Sequence, residues 1–169
     1  MVEDINVGTF QKIQNEYKRQ QLWVLEFDNI DAWTAQTSGR PTLALGDSLK
    51  INFVNTYAKF QQGRGTWNPI TITLNDPIHD SAAGKLYEWV LTQWNYKTAV
   101  SAYKSAYAKD FTIKLLAPDL SEASETWTLH NAFLSGNVDF NTKGLDYDST
   151  DRLQITFTLD YDYATLNDD

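Results

Sequence analysis

A regular alternation of apolar and polar residues near the end of the chain constrains its fold more than any other feature. In DRLQITFTLDYDY, residues 151–163, every second side chain from Leu153 to Tyr163 is apolar or aromatic. Successive side chains of a strand point to opposite faces, so the stretch predicts one dry and one wet face. This pattern is typical of antiparallel sheets covered on one side, and parallel strands buried on both sides do not show it. The polar positions are Gln154, Thr156, Thr158, Asp160 and Asp162.

Five earlier stretches also have strand patterns. They cover residues 22–30, 49–60, 67–74, 110–116 and 124–136. In the last of them, Trp127, Leu129 and Phe133 are predicted to share one face. The phase of residues 49–60 becomes unclear at Val54-Asn55-Thr56, which indicates a bulge or an exposed hairpin arm.

Residues 79–94 have the period of a helix instead. Five side chains recur on one helical face: Ala82, Leu86, Trp89, Val90 and Gln93. Asp80 or Ser81 stands where a side chain can cap the first turn. We therefore predict one helix, and it should cover a sheet with this apolar face.

The order of these elements, β-β-β-α-β-β-β, predicts a mainly β fold. We expect an antiparallel β-sandwich or barrel of about six or more strands with one flanking helix over residues 79–94. The length of 169 residues fits a single domain over residues 1–169, and 42% of the residues are apolar, too many for a disordered chain. Residues 1–20 are predicted to form an arm or short helix, and residues 164–169 an acidic tail.

Charge and composition argue against several functional classes. The net charge is −8, and residues 139–169 contain eight Asp against two bases, so a nucleic-acid grip of clustered Lys and Arg is not expected. The absence of Cys excludes disulfides and Cys-based metal sites. No apolar run approaches the ~20 residues of a membrane span, and the N-terminus lacks a signal-peptide pattern, so we expect a soluble protein made in a cytoplasm.

The best candidate for catalytic or metal chemistry is Asp76, His79 and Asp80. A carboxylate could orient His79 for acid–base work, or the three could bind a metal. The alternative is a corner where a strand ends at Asn75-Asp76-Pro77 and a helix begins at His79-Asp80-Ser81. The sequence favours the corner, because the only other His is His130 and Cys is absent. We expect no catalytic residue, cofactor or metal.

Two further groups of residues allow a binding hypothesis. Asp146, Asp148 and Asp151 suggest a calcium loop, but the remaining ligand positions and the closing Glu of such a loop are missing. A set of aromatic residues could form a sugar-stacking platform or a subunit interface, although the helical face of Trp89 favours core packing for it. This set is Trp89, Trp94, Tyr96, Tyr103 and Tyr107.

The order of features resembles the tail tube protein of contractile-tailed bacteriophages, the myovirus family whose fold is shared with type VI secretion tube proteins. The most specific matches are the corner ITITLNDPIHDSAAGKLYEWV and the closing ITFTLDYDY. The opening LWVLEFDNI, the arm over residues 40–60 leading through QQGRGTW, the AFLSGNVDF strand and the acidic GLDYDSTD turn also match. The resemblance covers about residues 20–163.

The resemblance implies a structural protein of the virion, assembled in the host cytoplasm, rather than an enzyme. Such subunits form hexameric rings that stack into a hollow tube, which conducts DNA during ejection without binding it specifically. The implied partners are further copies of the chain and the tail sheath, baseplate and tape-measure proteins, with no membrane insertion by the subunit. A type VI secretion-like or baseplate tube component is one alternative, and a carbohydrate-binding β-sandwich module is another.

The resemblance also assigns roles to two groups of residues. The arm is implied to contact the neighbouring ring through Lys50, Ile51, Phe53, Val54 and Tyr57, for which the alternative is ordinary core packing. Asp160 and Asp162 become candidates for acids that face the lumen. Acids there would repel phosphate weakly, whereas a lumen with repeated Lys–phosphate contacts would hold the DNA.

Overall fold

A computed structural model describes residues 18–27, 34–61 and 63–167. These residues form thirteen strands and two helices. The first strands are β1 Trp23–Glu26, β2 Ala35–Thr37, β3 Thr42–Ala44, β4 Ser48–Phe53, β5 Thr56–Gln61, β6 Thr66–Asn68 and β7 Ile70–Asn75. Helix α1 Ala82–Gln93, β8 Trp94–Asn95, β9 Val100–Ser101 and helix α2 Lys104–Tyr107 follow. The last strands are β10 Lys109–Leu116, β11 Ala123–Asp139, β12 Gln154–Asp160 and β13 Tyr163–Asn167. Most of the predicted arm over residues 1–20 lies outside the described residues.

Seven strands form the main sheet, in the order β1-β10-β11-β12-β7-β2, with β13 also paired to β11. Every pairing among them is antiparallel. This confirms the predicted mainly β class with a flanking helix. The long β11 joins the two parts of the sheet, because its first half pairs with β10 and β13 and its second half with β12.

A β-bulge in β11 reverses which of its side chains face the core. His130 and Asn131 together lie opposite a single residue of β10, and Asn131 has a φ of +54°. Before the bulge Leu129 is buried, and after it Ala132 and Leu134 are buried instead. The prediction that Phe133 shares a face with Leu129 is therefore wrong.

The closing strand is shorter than its sequence pattern predicts. Strand β12 ends at Asp160, and the chain bends before β13 begins at Tyr163. The backbone N–H of Asp162 donates to the His130 carbonyl across this bend, at 3.1 Å. Of the predicted acidic tail over residues 164–169, the part up to Asn167 pairs with β11. Tyr163 and Leu153 are exposed rather than continuing the apolar face.

One apolar core lies between the sheet and helix α1. Helix α1 buries Ala82, Leu86 and Trp89, as its period predicts, and the Trp89 indole N–H donates to the Tyr107 carbonyl at 2.7 Å. The fully buried side chains of the core are Ile72, Leu74, Leu86, Phe111, Leu129, Ile155, Phe157 and Leu159. No helix in the described ranges is long and apolar enough to cross a membrane.

Three two-stranded antiparallel sheets stand apart from the main sheet: β3–β6, β4–β5 and β8–β9. The β4–β5 hairpin occupies the stretch that the sequence pattern presented as one strand with an unclear phase. Its two strands are joined by a turn at Val54-Asn55. Of the two possibilities left open there, a bulge and a hairpin arm, the structure has the hairpin arm.

Candidate assembly surface

The β4–β5 hairpin has one apolar face. Leu49 lies opposite Phe60, and Ile51 lies opposite Ala58, so these four side chains and Phe53 share a side. We call this set the apolar face of the hairpin. It is uncovered: Phe53 is 73% exposed, and the other members are exposed as well. The interpretation of this arm as ordinary core is therefore wrong for the subunit by itself.

The opposite face of the hairpin is cationic. Lys50 lies directly opposite Lys59, and Tyr57 is on the same side. The Lys50 ammonium is 4.1 Å from the centre of the Tyr57 ring, and that of Lys59 is 6.0 Å away. Cation–π contacts of this kind attract each ammonium to the ring but do not neutralise it. We call these three side chains the cationic face of the hairpin.

The turn of the hairpin holds a residue that is locally unfavourable there. Val54 has a φ of +49°, in the left-handed region that a β-branched side chain rarely adopts. Tight hairpin turns normally place Asn, Asp or Gly in this conformation. Val54 is also 86% exposed. A strained apolar side chain at an exposed tip is not explained by the stability of the subunit.

The corner between β7 and α1 is structural. One carboxylate oxygen of Asp76 accepts hydrogen bonds from the Ser81 hydroxyl at 3.0 Å and from the Ala83 N–H at 3.3 Å. The Ser81 hydroxyl oxygen in turn accepts from the Gly84 N–H at 3.3 Å, which caps the helix. His79 and Asp80 are exposed. The interpretation of this segment as a turn and cap is therefore confirmed.

Two of the three carboxylates considered for a calcium loop have other partners. Across the described parts of the chain, no group of three or more His, Asp or Glu side chains is placed to hold a metal ion. Asp146 accepts a hydrogen bond from the Asp148 N–H, and Asp151 from the Lys143 ammonium at 3.4 Å. The same acidic loop, residues 144–151, exposes two apolar side chains: Leu145 is 80% exposed and Tyr147 completely so.

The two candidate lumen acids do not lie on one continuous strand. Asp160 is the half-exposed last residue of β12, whereas Asp162 lies in the bend that follows. Asp162 forms an ion pair with Lys104 and accepts a hydrogen bond from the Asn131 side chain at 3.0 Å. The Lys104 ammonium holds the pKa of Asp162 below its usual range, so the carboxylate is charged but locally paired. Their orientation toward a lumen remains a prediction.

The polar face of the β7–β12 pair carries a row of threonines. The Thr73 and Thr156 hydroxyls are 3.1 Å apart, and those of Thr71 and Thr158 are 3.5 Å apart. The Thr142 hydroxyl donates to that of Thr156 at 3.0 Å. We call these five side chains the threonine face. It is uncharged and partly exposed.

The aromatic residues considered for sugar stacking do not form one platform. Trp89 is buried in the core, and Tyr107 packs edge-on against Phe133 with ring centres 6.0 Å apart. Trp94, Tyr96 and Tyr103 are exposed. For these three exposed residues, the other alternative from the sequence, a subunit interface, remains a prediction.

Glu125 is a buried carboxylate that was not predicted from the sequence. Glu125 forms ion pairs with Lys18 and with Arg40, the latter at 3.2 Å, and it accepts a hydrogen bond from the Trp127 indole. Burial raises the pKa of Glu125, but these three partners outweigh it and the net pKa is lowered. The strand pattern could have indicated this site, because Glu125 falls on the same face as Trp127 and Leu129. A charged side chain on a buried face needs a partner.

The sequence matches no protein-family model and no curated protein. Solved structures, however, match nearly the whole chain. A chain of the sheath/tube terminator of the PVC extracellular contractile injection system aligns with a TM-score of 0.68 at 16% identity, covering 91% of this chain and 99% of that one. The tube-terminating cap of the anti-feeding prophage aligns with a TM-score of 0.65 at 16% identity, covering 92% and 93%. A chain of the PVC sheath–tube complex aligns with a TM-score of 0.61 at 16% identity, covering 95% and 97%. The chain therefore has the fold of contractile injection system tube and tube-terminating proteins, which confirms the tail-tube fold predicted from the sequence.

Proposed function

We propose that this chain is a structural, non-catalytic subunit of the tube of a contractile tail or related injection system. Copies associate into hexameric rings, and the rings stack into a hollow tube. The observation that carries the proposal is the uncovered β4–β5 hairpin on a chain with this fold. A subunit that functions as a monomer has no use for such a surface, whereas an assembling subunit buries it.

The hairpin is the contact by which one ring holds the next. An isolated two-stranded hairpin is marginal in water, and in the described part of the chain β4 and β5 pair only with each other. Burial of Ile51, Phe53 and Val54 against a neighbouring copy would supply the missing stabilisation. It would also explain why Val54 occupies a turn position that normally holds Asn, Asp or Gly. The backbone strain at Val54 would be offset by burial of its side chain against the neighbouring copy.

The threonine face is the surface that we assign to the lumen. A continuous barrel of neighbouring sheets needs one face packed on the core and one face in water, and β7 and β12 have both. Its hydroxyls carry no charge, so cargo such as DNA could pass without being held by cumulative ion pairs. Asp160 adds a weak repulsion for phosphate, while Asp162 contributes less because Lys104 pairs with it.

A tube terminator is the second candidate, because two of the three structural matches above come from terminating components. A terminator would form one ring at the end of a tube. A type VI secretion-like or baseplate tube component uses the same surfaces. In each case the partners are other copies and the sheath, baseplate and tape-measure components of the particle, and the chain needs no cofactor.

Negative-stain microscopy of the purified chain tests the proposal. We expect rods of constant diameter for a tube subunit and single rings for a terminator. The double variant Val54→Ala/Tyr57→Ala should stop growth while circular dichroism shows an unchanged fold. Strictly monomeric wild-type protein at all concentrations would contradict the proposal, and glycan affinity of such a monomer would favour the carbohydrate-binding alternative.

A further inference from the structure

The hairpin lies in a locally basic stretch of an acidic chain. Residues 48–75 contain Lys50, Lys59 and Arg64 and no Asp or Glu, although the whole chain has a net charge of −8. The basic side chains on the hairpin are not scattered: the register places Lys50 and Lys59 directly opposite each other. Such a concentration of charge on an exposed element is a recognition feature for an anionic group.

The pairing of these two lysines is unfavourable for the hairpin itself. Like charges directly opposite each other destabilise an antiparallel pair, and in the described part of the chain neither ammonium has a carboxylate partner. Tyr57 holds the two ammonium groups near one ring without neutralising them. An anion bound at this face would remove the repulsion.

The acidic loop, residues 144–151, has the complementary chemistry. Asp146 and Asp148 flank Tyr147, and all three are exposed. The Asp148 carboxylate has no hydrogen-bond or ion-pair partner in the described part of the chain. The loop thus offers carboxylates beside a fully exposed aromatic ring, and the cationic face offers two ammonium groups beside the half-exposed ring of Tyr57.

We infer that the cationic face of the hairpin docks on the acidic loop of a second copy of this chain. This inference rests on the proposed function, and it names the receiving surface of the hairpin. The apolar face then packs elsewhere on the neighbouring copies. Nucleic acid is a poorer occupant, because two lysines release about two counterions and so give little phosphate affinity, and the surrounding chain is acidic.

Charge reversal with rescue tests the inference on the full chain. Lys59→Glu should raise the protein concentration needed for assembly about five-fold. This factor corresponds to the free energy of one surface ion pair that is lost and replaced by repulsion. Asp148→Lys should do the same. The combined variant Lys59→Glu/Asp148→Lys should assemble close to the wild-type concentration, because the reversed charges attract again. Assembly of the wild type should weaken as salt is raised.

Matched controls separate this effect from a change in net charge. Arg19→Glu and Glu122→Lys make the same charge changes at exposed positions outside both surfaces, and they should leave assembly unchanged. If the single reversals behave like these controls, or if the combined variant is no better than either single one, the inference is wrong while the proposed function stands. If the wild type does not assemble, the proposed function fails with it. Hairpin-dependent binding of duplex DNA by the assembled protein would also overturn the inference.

Discussion

Replacing Phe53 by Ala should separate assembly from folding. Phe53 is 73% exposed in the subunit. An aromatic side chain has roughly 200 Å² of surface, so about 150 Å² is available to a neighbour. At ~25 cal/mol per Å², full burial would contribute about 4 kcal/mol, and half burial about 2 kcal/mol. Losing about 2 kcal/mol corresponds to a roughly 30-fold rise in the concentration needed for assembly.

The matched control is Phe111→Ala, which makes the same chemical change in the core. Phe111 is fully buried and stacks on Phe27 with ring centres 4.2 Å apart. Its removal should destabilise the subunit by about 3–5 kcal/mol, which lowers Tm by about 6–20 °C for a chain of this size. Phe53→Ala should leave the Tm of unassembled protein unchanged. Sedimentation and thermal unfolding measure the two effects.

Two outcomes would refute this reasoning. If Phe53→Ala lowers the Tm of the unassembled subunit as much as Phe111→Ala does, the apolar face packs within the subunit. If Phe53→Ala assembles at the wild-type concentration, the hairpin is not the contact between rings. Neither result could be attributed to the chemistry of the substitution, since both variants remove the same atoms.

Two further predictions concern the stability of the subunit. Asp76→Ala should lower the free energy of unfolding in urea by about 1–2 kcal/mol, because the start of helix α1 loses the carboxylate that accepts two hydrogen bonds. The control, His79→Ala at an exposed position, should change stability by less than about 0.5 kcal/mol. Equal losses for the two variants would contradict the capping role of Asp76. Glu125→Gln should cost about 1–2 kcal/mol at neutral pH, because it removes a buried charge with three partners. Since the pKa of Glu125 is lowered in the folded state, the unfolded chain binds the proton first. The contribution is therefore complete above the ordinary pKa of a Glu and is lost as pH falls through the lowered value. The wild type should thus lose more stability than Glu125→Gln on acidification. The control, Glu122→Gln at an exposed position, should follow the wild type. Parallel curves of stability against pH for the wild type and Glu125→Gln would refute the stabilising role of the Glu125 carboxylate.

Much of the fold could be predicted because its signals are local. The alternation of Ile155, Phe157 and Leu159 indicated their shared buried face, and the spacing of Leu86 and Trp89 indicated the helical face that covers them. The corner at Asp76 could be recognised as structural by counting potential ligands and noticing the turn and capping residues. The position of the hairpin at residues 48–61 could be predicted, but its shape could not. The alternation of apolar and polar residues breaks near Val54, and this break fits a bulge as well as a hairpin turn.

The sequence alone determined the class of fold, the helix and its apolar face, because strand and helix periods are properties of neighbouring residues. The tertiary structure decided where β11 carries its bulge, where the closing strand bends at Asp162, and which partners surround Glu125. It also decided that the apolar face of the hairpin is exposed. Each of these depends on which distant strand lies alongside, and an alternation has the same form whether its apolar side meets the core, water or another copy of the chain.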